Sequence, residues 1–279
     1  MTRTVRGAKV LITGAAGGMG RLFAERAVAE GATSVTLWDR DVNALSRAVD
    51  ELGAASRGRT RVQSYVVDVS DPGAIAKHAQ RVRRDVGNPD VLINNAGIVR
   101  GNRYFWETDS GDDTRPTMQV NALAPMYITR EFLPGMISSS YRAARIVNIA
   151  SAAGTLANPR MAVYAASKAA LISWSESLRI ELEQADHTNV RVTTVTPSYV
   201  STGMFAGVRA PVLAPILEPG YVVDRVWQAM LAGKPLLELP RSVGVSRAVR
   251  GILPTRVFDR VVGDAFGVYR SMERFTGRS

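Results

Sequence analysis

Short apolar runs alternate with longer amphipathic stretches along most of this chain, and that alternation predicts strands and helices in turn. Residues 8–13 (AKVLIT) predict a first buried strand, followed by a glycine-rich turn and an amphipathic helix to about Glu30. Residues 34–38 and 61–67 predict the second and third strands, with a helix over 41–53 between them. Asp71 followed by Pro72 reads as the cap and first residue of the next helix. Residues 91–93 give a fourth strand, a long helix is expected from about Thr114, and 144–150 give a fifth strand. A helix over about 161–184, a strand over 191–196, a helix over 218–231 and a strand over 235–239 complete the series. Strands in regular alternation with helices imply an α/β protein with a parallel, doubly wound sheet and its ligand at the carboxyl ends of the strands.

The last stretch is different in kind. Residues 242–253 and 255–269 lie either side of Pro254 and read as two amphipathic helices. On a helical wheel Val245, Ala248, Val249, Ile252 and Leu253 share one arc, with Arg247 and Arg250 opposite. In the second segment Val257, Phe258, Val261, Val262, Ala265, Phe266 and Tyr269 take one half, and Arg256, Asp259, Arg260, Asp264 and Arg270 the other. From Arg241 onward there are eight Arg and three Asp or Glu, so this tail holds half of the net charge of +10. It is expected to dock on the rest of the domain or on a partner subunit, or to lie on a membrane surface.

Composition narrows the classes. With 279 residues and no linker or repeat, residues 1–240 read as one domain, and 241–279 as its basic amphipathic extension. Zero cysteines exclude disulfides, thiolate metal sites and cysteine nucleophiles, and fit a cytoplasmic protein. The only histidines, His78 and His187, are far apart in polar segments and read as solvated, so no metal site is expected. No nucleic-acid-binding motif accompanies the basic charge, so nucleic acid is not expected as a partner. The first nine residues lack a long apolar core and do not read as a signal peptide, and no apolar run is long enough to span a bilayer.

Candidate chemistry follows the strand ends. Gly14, Gly18, Met19 and Gly20 lie between a strand and a helix, the context in which glycines let a dinucleotide pyrophosphate approach free backbone N–H groups. Asp39 ends the second strand, where a carboxylate accepts hydrogen bonds from the adenosine ribose and repels a 2′-phosphate, favouring NAD over NADP. Arg40 beside it is read as solvated, with stacking on adenine or contact with a phosphate as alternatives. Asp68, with Val69, ends the third strand, where a carboxylate can bond the adenine amino group or cap the next helix; Asp71 as cap leaves Asp68 freer to bind. Asn95, Ala96 and Gly97 follow the fourth strand, Asn121 sits inside an apolar helix, and Ser151 ends the fifth strand. Tyr164 and Lys168 lie one helical turn apart, where an ammonium beside a phenol favours the phenolate.

Thr13-Gly14-x-x-x-Gly18-x-Gly20, Asn94-Asn95-Ala96-Gly97, Ser151 and Tyr164-x-x-x-Lys168, in that order, resemble the short-chain dehydrogenase/reductase family over nearly the whole chain. The resemblance implies a Rossmann-type sheet of about seven strands, hydride exchange with a nicotinamide, and a homodimer or homotetramer. It implies that Asn121 holds a water linking the lysine to solvent and that Ser151 holds the substrate oxygen. Tyr164 would move the hydroxyl proton, while Lys168 would lower the tyrosine pKa and bind the nicotinamide ribose. Pro197, Thr202 and the backbone at Val200 would meet the carboxamide; Ser198 departs from the family's usual Pro-Gly there.

Trp38-Asp39, Ser151-Ala152-Ala153-Gly154, Leu217-Glu218-Pro219 and Ile252-Leu253-Pro254 resemble the hydroxysteroid and retinol dehydrogenase branch. That branch acts on lipophilic alcohols and ketones, several members at membranes or lipid droplets. The apolar stretch 203–217 then reads as a lid over a lipophilic substrate, or as a loop covering the core. The leading expectation is hydride transfer between NAD and a lipophilic alcohol or ketone. The alternatives are an NADPH-dependent ketoreductase on an acyl substrate and a non-catalytic NAD-binding scaffold.

Overall fold

The apolar runs pair side by side into one parallel sheet in a computed structural model of the protein, which describes residues 4–139, 143–211, 214–265, 267–273 and 275–276. Its strands are β1 (Lys9–Thr13), β2 (Ser34–Asp39), β3 (Arg61–Val66), β4 (Val91–Asn94), β5 (Ala144–Ile149), β6 (Val190–Pro197) and β7 (Leu236–Leu239). The order is β3-β2-β1-β4-β5-β6-β7. The chain therefore reverses its direction of travel between β1 and β4, and a crevice opens at their carboxyl ends.

Side chains alternate between the two faces of the sheet and sort into two cores. Val10 and Ile12 of β1 join one with Phe23, Leu45, Trp227 and Met230, from α1 (Gly18–Ala29), α2 (Val42–Ser56) and α7 (Pro219–Ala232). Leu11 points the other way and joins Ile75, Phe132 and Leu178, from α3 (Pro72–Asp85), α5 (Ala124–Ser138) and α6 (Ala162–Gln184). Helices on both faces explain why β1, β4 and β5 are apolar rather than alternating. Asp41 and Asp71 cap α2 and α3, accepting from the N–H of Ala44 at 2.9 Å and of Gly73 at 2.8 Å. His78 is not simply solvated: it is half-buried and meets Trp38 and Tyr65 edge-on at 6.5 and 6.0 Å.

The long helix before β5 starts earlier than Thr114. The Asp109 carboxylate accepts from the N–H groups of Gly111 and Asp112, both at 2.7 Å, and the winding begins at Ser110. It passes through π-helical turns at Ser110–Thr114 and Gln119–Leu123, either side of α4 (Arg115–Met118), before α5.

The tail also differs from its wheel. α8 (Arg241–Ile252) packs on β7 through the face bearing Val243, and Arg247 reaches Glu238 at 2.8 Å. The apolar arc turns outward instead, with Val245 62% and Ile252 81% exposed. The second segment is not one helix. α9 (Thr255–Phe258) gives way to π turns over Asp259–Ala265, then Gly267 at φ +74 reverses the chain. Phe266, Val212 and Leu213, and the side chains of Val262, Asp264 and Ala265, lie outside what is described.

Candidate active site

The glycine turn is held by the end of β4. The Thr13 hydroxyl accepts from the N–H groups of Asn95 and Ala96, each at 3.0 Å. The Asn95 amide donates to the carbonyls of Thr13 at 3.0 Å and Gly14 at 3.2 Å. Gly14 and Gly18 have φ of +63 and +54, a region that side chains rarely enter. A Cβ on Gly20 would lie 2.0 Å from the Gly14 carbonyl oxygen. Met19 is half-buried against the core, so the loop is anchored from below. α1 begins at Gly18 without a side-chain cap, which leaves its first N–H groups directed at the crevice. This cradle fits a dinucleotide pyrophosphate.

Asp39 is pinned at the rim. Its Oδ2 accepts from Ala16 N–H at 2.9 Å and its Oδ1 from Asp41 N–H at 3.1 Å, which fixes a negative charge beside the loop. Arg40 is exposed; burial raises the Asp68 carboxyl, but the hydrogen bonds from Ser70 and, least, the Arg40 charge hold it below its usual value. Asp68 is less available than expected, because its Oδ1 accepts from the Ser70 N–H at 2.9 Å and the Ser70 hydroxyl at 2.7 Å. Val69 is buried in the core behind it. Across the crevice, Thr202 faces Gly18, its Cβ 3.5 Å from where a Gly18 Cβ would stand. Pro197 closes β6, and Val200 is bridged to Leu217, so the loop carrying Thr202 is braced from both ends. Ser198 donates its hydroxyl to the Pro215 carbonyl at 3.2 Å.

The polar groups at β5 and α6 meet on the other side of this crevice. Ser151 lies two residues past β5, accepts from Ala153 N–H at 3.2 Å and lines the same cavity as Tyr164. Lys168 Nζ lies 5.8 Å from the centre of the Tyr164 ring and donates to the Ile149 carbonyl at 2.9 Å. A Cβ on Gly97 would lie 3.4 Å from Asn121 Oδ1 and 3.5 Å from Lys168 Nζ, so Gly97 keeps these groups close together. Asn121 sits on a π turn, a local widening often found at functional sites. Its side chain is held by the protein: Oδ1 accepts from Ile98 N–H, and Nδ2 donates to Ile98 O and the Ser167 hydroxyl.

Burial dominates the charges. It pushes the Tyr164 phenol up, the Ser151 side chain pulls it down, and the neighbouring Tyr199 pushes it up again, for a net rise. Burial pushes Lys168 down to about 8.

Beyond Tyr164 opens an apolar cavity, lined by Ala153, Leu156, Met161, Tyr199, Phe205 and Val243 among others. Phe205, from the expected lid, meets Tyr164 edge-on at 6.1 Å and Tyr199 at 5.3 Å. The end of the tail closes this side. Met272 is 1% exposed and packs with Met161 and Tyr164. Its neighbour Ser271 accepts from Arg209 N–H at 3.0 Å, and Asn102 donates to the Met272 carbonyl at 3.3 Å. Asn158, Tyr199, Ser271 and Met272 were not picked out from the sequence. The only signal was the apolar character of the stretch around Phe205.

A short chain dehydrogenase family model matches residues 8–212. The chain is 35% identical over 281 residues to epidermal retinol dehydrogenase 2 of Mus musculus, covering 99% of this chain and 87% of that one. It is 33% identical over 273 residues to estradiol 17-beta-dehydrogenase 11 of Homo sapiens, covering 94% and 88%. Among solved structures it resembles a short chain dehydrogenase/reductase of Burkholderia phymatum in complex with NAD, at TM-score 0.79 and 28% identity over 93% of this chain and 96% of that one. A metagenomic short-chain oxidoreductase in complex with NADP gives TM-score 0.69 and 30% identity over 84% and 96%.

Proposed function

The chain belongs to the short-chain dehydrogenase family, in its hydroxysteroid and retinol dehydrogenase branch, and on that footing we propose that it transfers hydride between NAD and a lipophilic alcohol or ketone. The observation that carries this reading is that Ser151 and Tyr164 line one apolar cavity, with Lys168 buried beside the Tyr164 ring. Bound NAD supplies the hydride acceptor. Ser151 orients the substrate oxygen, and Tyr164 takes or returns its proton, with hydride and proton leaving together in the direction of oxidation. Lys168, close to neutral pH in its protonation, faces the crevice with Asn121 and Gly97 and anchors the nicotinamide ribose.

The pinned Asp39 carboxylate supports NAD, since a 2′-phosphate beside it would meet like charge. Residues 1–240 provide the cofactor cradle and the acid/base group, and 241–279 complete the substrate cavity. A panel of lipophilic and short polar alcohols, followed by absorbance of the reduced nicotinamide, is expected to show turnover for lipophilic members with NAD at least about tenfold above NADP. Turnover confined to polar alcohols, or a preference for NADP, contradicts the reading.

The outward arc of the tail supports contact with an anionic lipid surface. Val245, Ile252, Val257 and Val261 are 62%, 81%, 45% and 42% exposed. Arg241, Arg256 and Arg260 are exposed beside them, a pairing that suits an interfacial segment. No helix among the described residues is long and apolar enough to cross a membrane. Co-sedimentation with vesicles containing anionic lipid is expected, weakened by salt and by I252E with V257E. Loss of self-association in these variants, without an effect on vesicle binding, would assign the arc to the homodimer or homotetramer instead. Truncation at Arg241 is the poorer test, because it removes Met272 from the wall of the site.

A further inference from the structure

One polar atom in the cavity wall has no use in the chemistry above. Asn158 is 9% exposed and lines the cavity, and its Oδ1 is fully buried without a hydrogen-bond partner among the described residues. The rest of the side chain is well held. Its Nδ2 donates to the Tyr199 hydroxyl at 2.8 Å, and that hydroxyl lies 2.8 Å from Ser271 Oγ. Ser271 donates its single proton to the Val268 carbonyl at 2.7 Å, so Tyr199 must donate to Ser271 and accept from Asn158. The chain of donors runs one way only. It fixes which end of the amide is nitrogen, and it leaves the carbonyl oxygen as a bare acceptor.

A buried acceptor left bare is costly, and a ligand that supplies a donor recovers the loss. The cavity also carries the hydroxyls of Ser151, Tyr164, Ser198, Tyr199, Ser242 and Ser246, and none of them bonds Asn158 Oδ1. Tyr199 touches both ends of the site: its hydroxyl orients Asn158, and its ring meets Phe205, which also packs on Tyr164. Asn158 and the acid/base group Tyr164 line the same cavity.

We propose that Asn158, oriented by Tyr199 and Ser271, is a specificity subsite for a second hydroxyl on the lipophilic substrate, distinct from the hydroxyl that is oxidised. This rests on the alcohol reading above. A hydrocarbon skeleton fills the apolar wall, while one additional donor bonds Asn158 Oδ1. A substrate with the reacting hydroxyl alone leaves that oxygen desolvated and unpaired. Tyr199 and Ser271 act here as positioning residues, and Ser271 makes the subsite depend on the tail being in place.

The test compares mono-ols with a set of positional diols on the same steroid or long-chain skeleton, using full-length protein and NAD. At least one diol is expected to exceed its mono-ol by about 10- to 100-fold in kcat/KM. N158L is expected to abolish that ratio while leaving the mono-ol within about threefold, and Y199F to reduce it in part. The ratio is the readout because damage to folding lowers both substrates together. No preferred diol in the wild type, or an equal loss on both substrates in N158L, overturns the subsite. If no alcohol is turned over, the alcohol reading has failed, and thermal unfolding with NADH decides the subsite by itself. Greater stabilisation by a diol than by its mono-ol, lost in N158L, supports it; no difference overturns it.

Discussion

Tyr164→Phe is expected to lower turnover of a lipophilic alcohol by about 10²- to 10⁴-fold, the range for removing a positioned acid/base group. Binding of NAD should change by no more than about threefold, because the substitution removes one oxygen at the substrate side of the crevice. The ring is retained, so its packing on Phe205, Met161 and Met272 survives. Stability should fall little, since the bond from Ala153 N–H to Ser151 is untouched. Burial raises the phenol's pKa in the protein alone, so the neutral acid is the resting form, ready to donate to a ketone. Oxidation asks the same oxygen to accept a proton, so the phenol must first release its own to solvent, and oxidation is expected to gain on reduction as pH rises. Steady-state rates beside a cofactor titration check this; turnover within tenfold of the wild type would remove Tyr164 from the mechanism.

The second large effect is expected at Gly20. A methyl group there would stand 2.0 Å from the Gly14 carbonyl oxygen and 2.7 Å from Asn95 Nδ2, so backbone must move. Gly20→Ala is expected to open the glycine turn, cost about 1–3 kcal/mol in stability and weaken NAD binding by more than tenfold. Gly53 provides the control, being helical in α2 with nothing within 4 Å of an added Cβ. Gly53→Ala should leave NAD binding unchanged and stabilise the protein by roughly 0.5–1 kcal/mol. Denaturant unfolding and a cofactor titration on both variants make the comparison. An intact cofactor site in Gly20→Ala would mean the turn does not hold the pyrophosphate.

What the sequence could and could not reveal divides along physical lines. The sheet was readable because buried parallel strands leave unbroken apolar runs, such as residues 91–93, between capped helices. Tyr164 and Lys168 were readable because helical spacing puts them on one face. The turn at Asp68 was not legible, because Ser70, two residues on, bonds one of its carboxylate oxygens in a local turn that a strand pattern does not announce. The π turn under Asn121 is a change of backbone register, and no side-chain periodicity records it. A wheel identifies which tail residues share a face, but not which face meets the protein. In α8 the inward face is the one with Val243, and the more apolar arc is outside. The cavity wall was hidden for a further reason: Asn158, Tyr199 and Ser271 come from three distant segments and meet only through tertiary packing.

The most direct measurement of the central claim is an isotope transfer. A lipophilic secondary alcohol deuterated at its carbinol carbon is incubated with the protein and NAD, and the reduced cofactor is analysed by mass. Direct hydride transfer predicts one deuterium in the dihydronicotinamide, equal in amount to the ketone formed. Reduced cofactor without deuterium, or ketone without reduced cofactor, would contradict it.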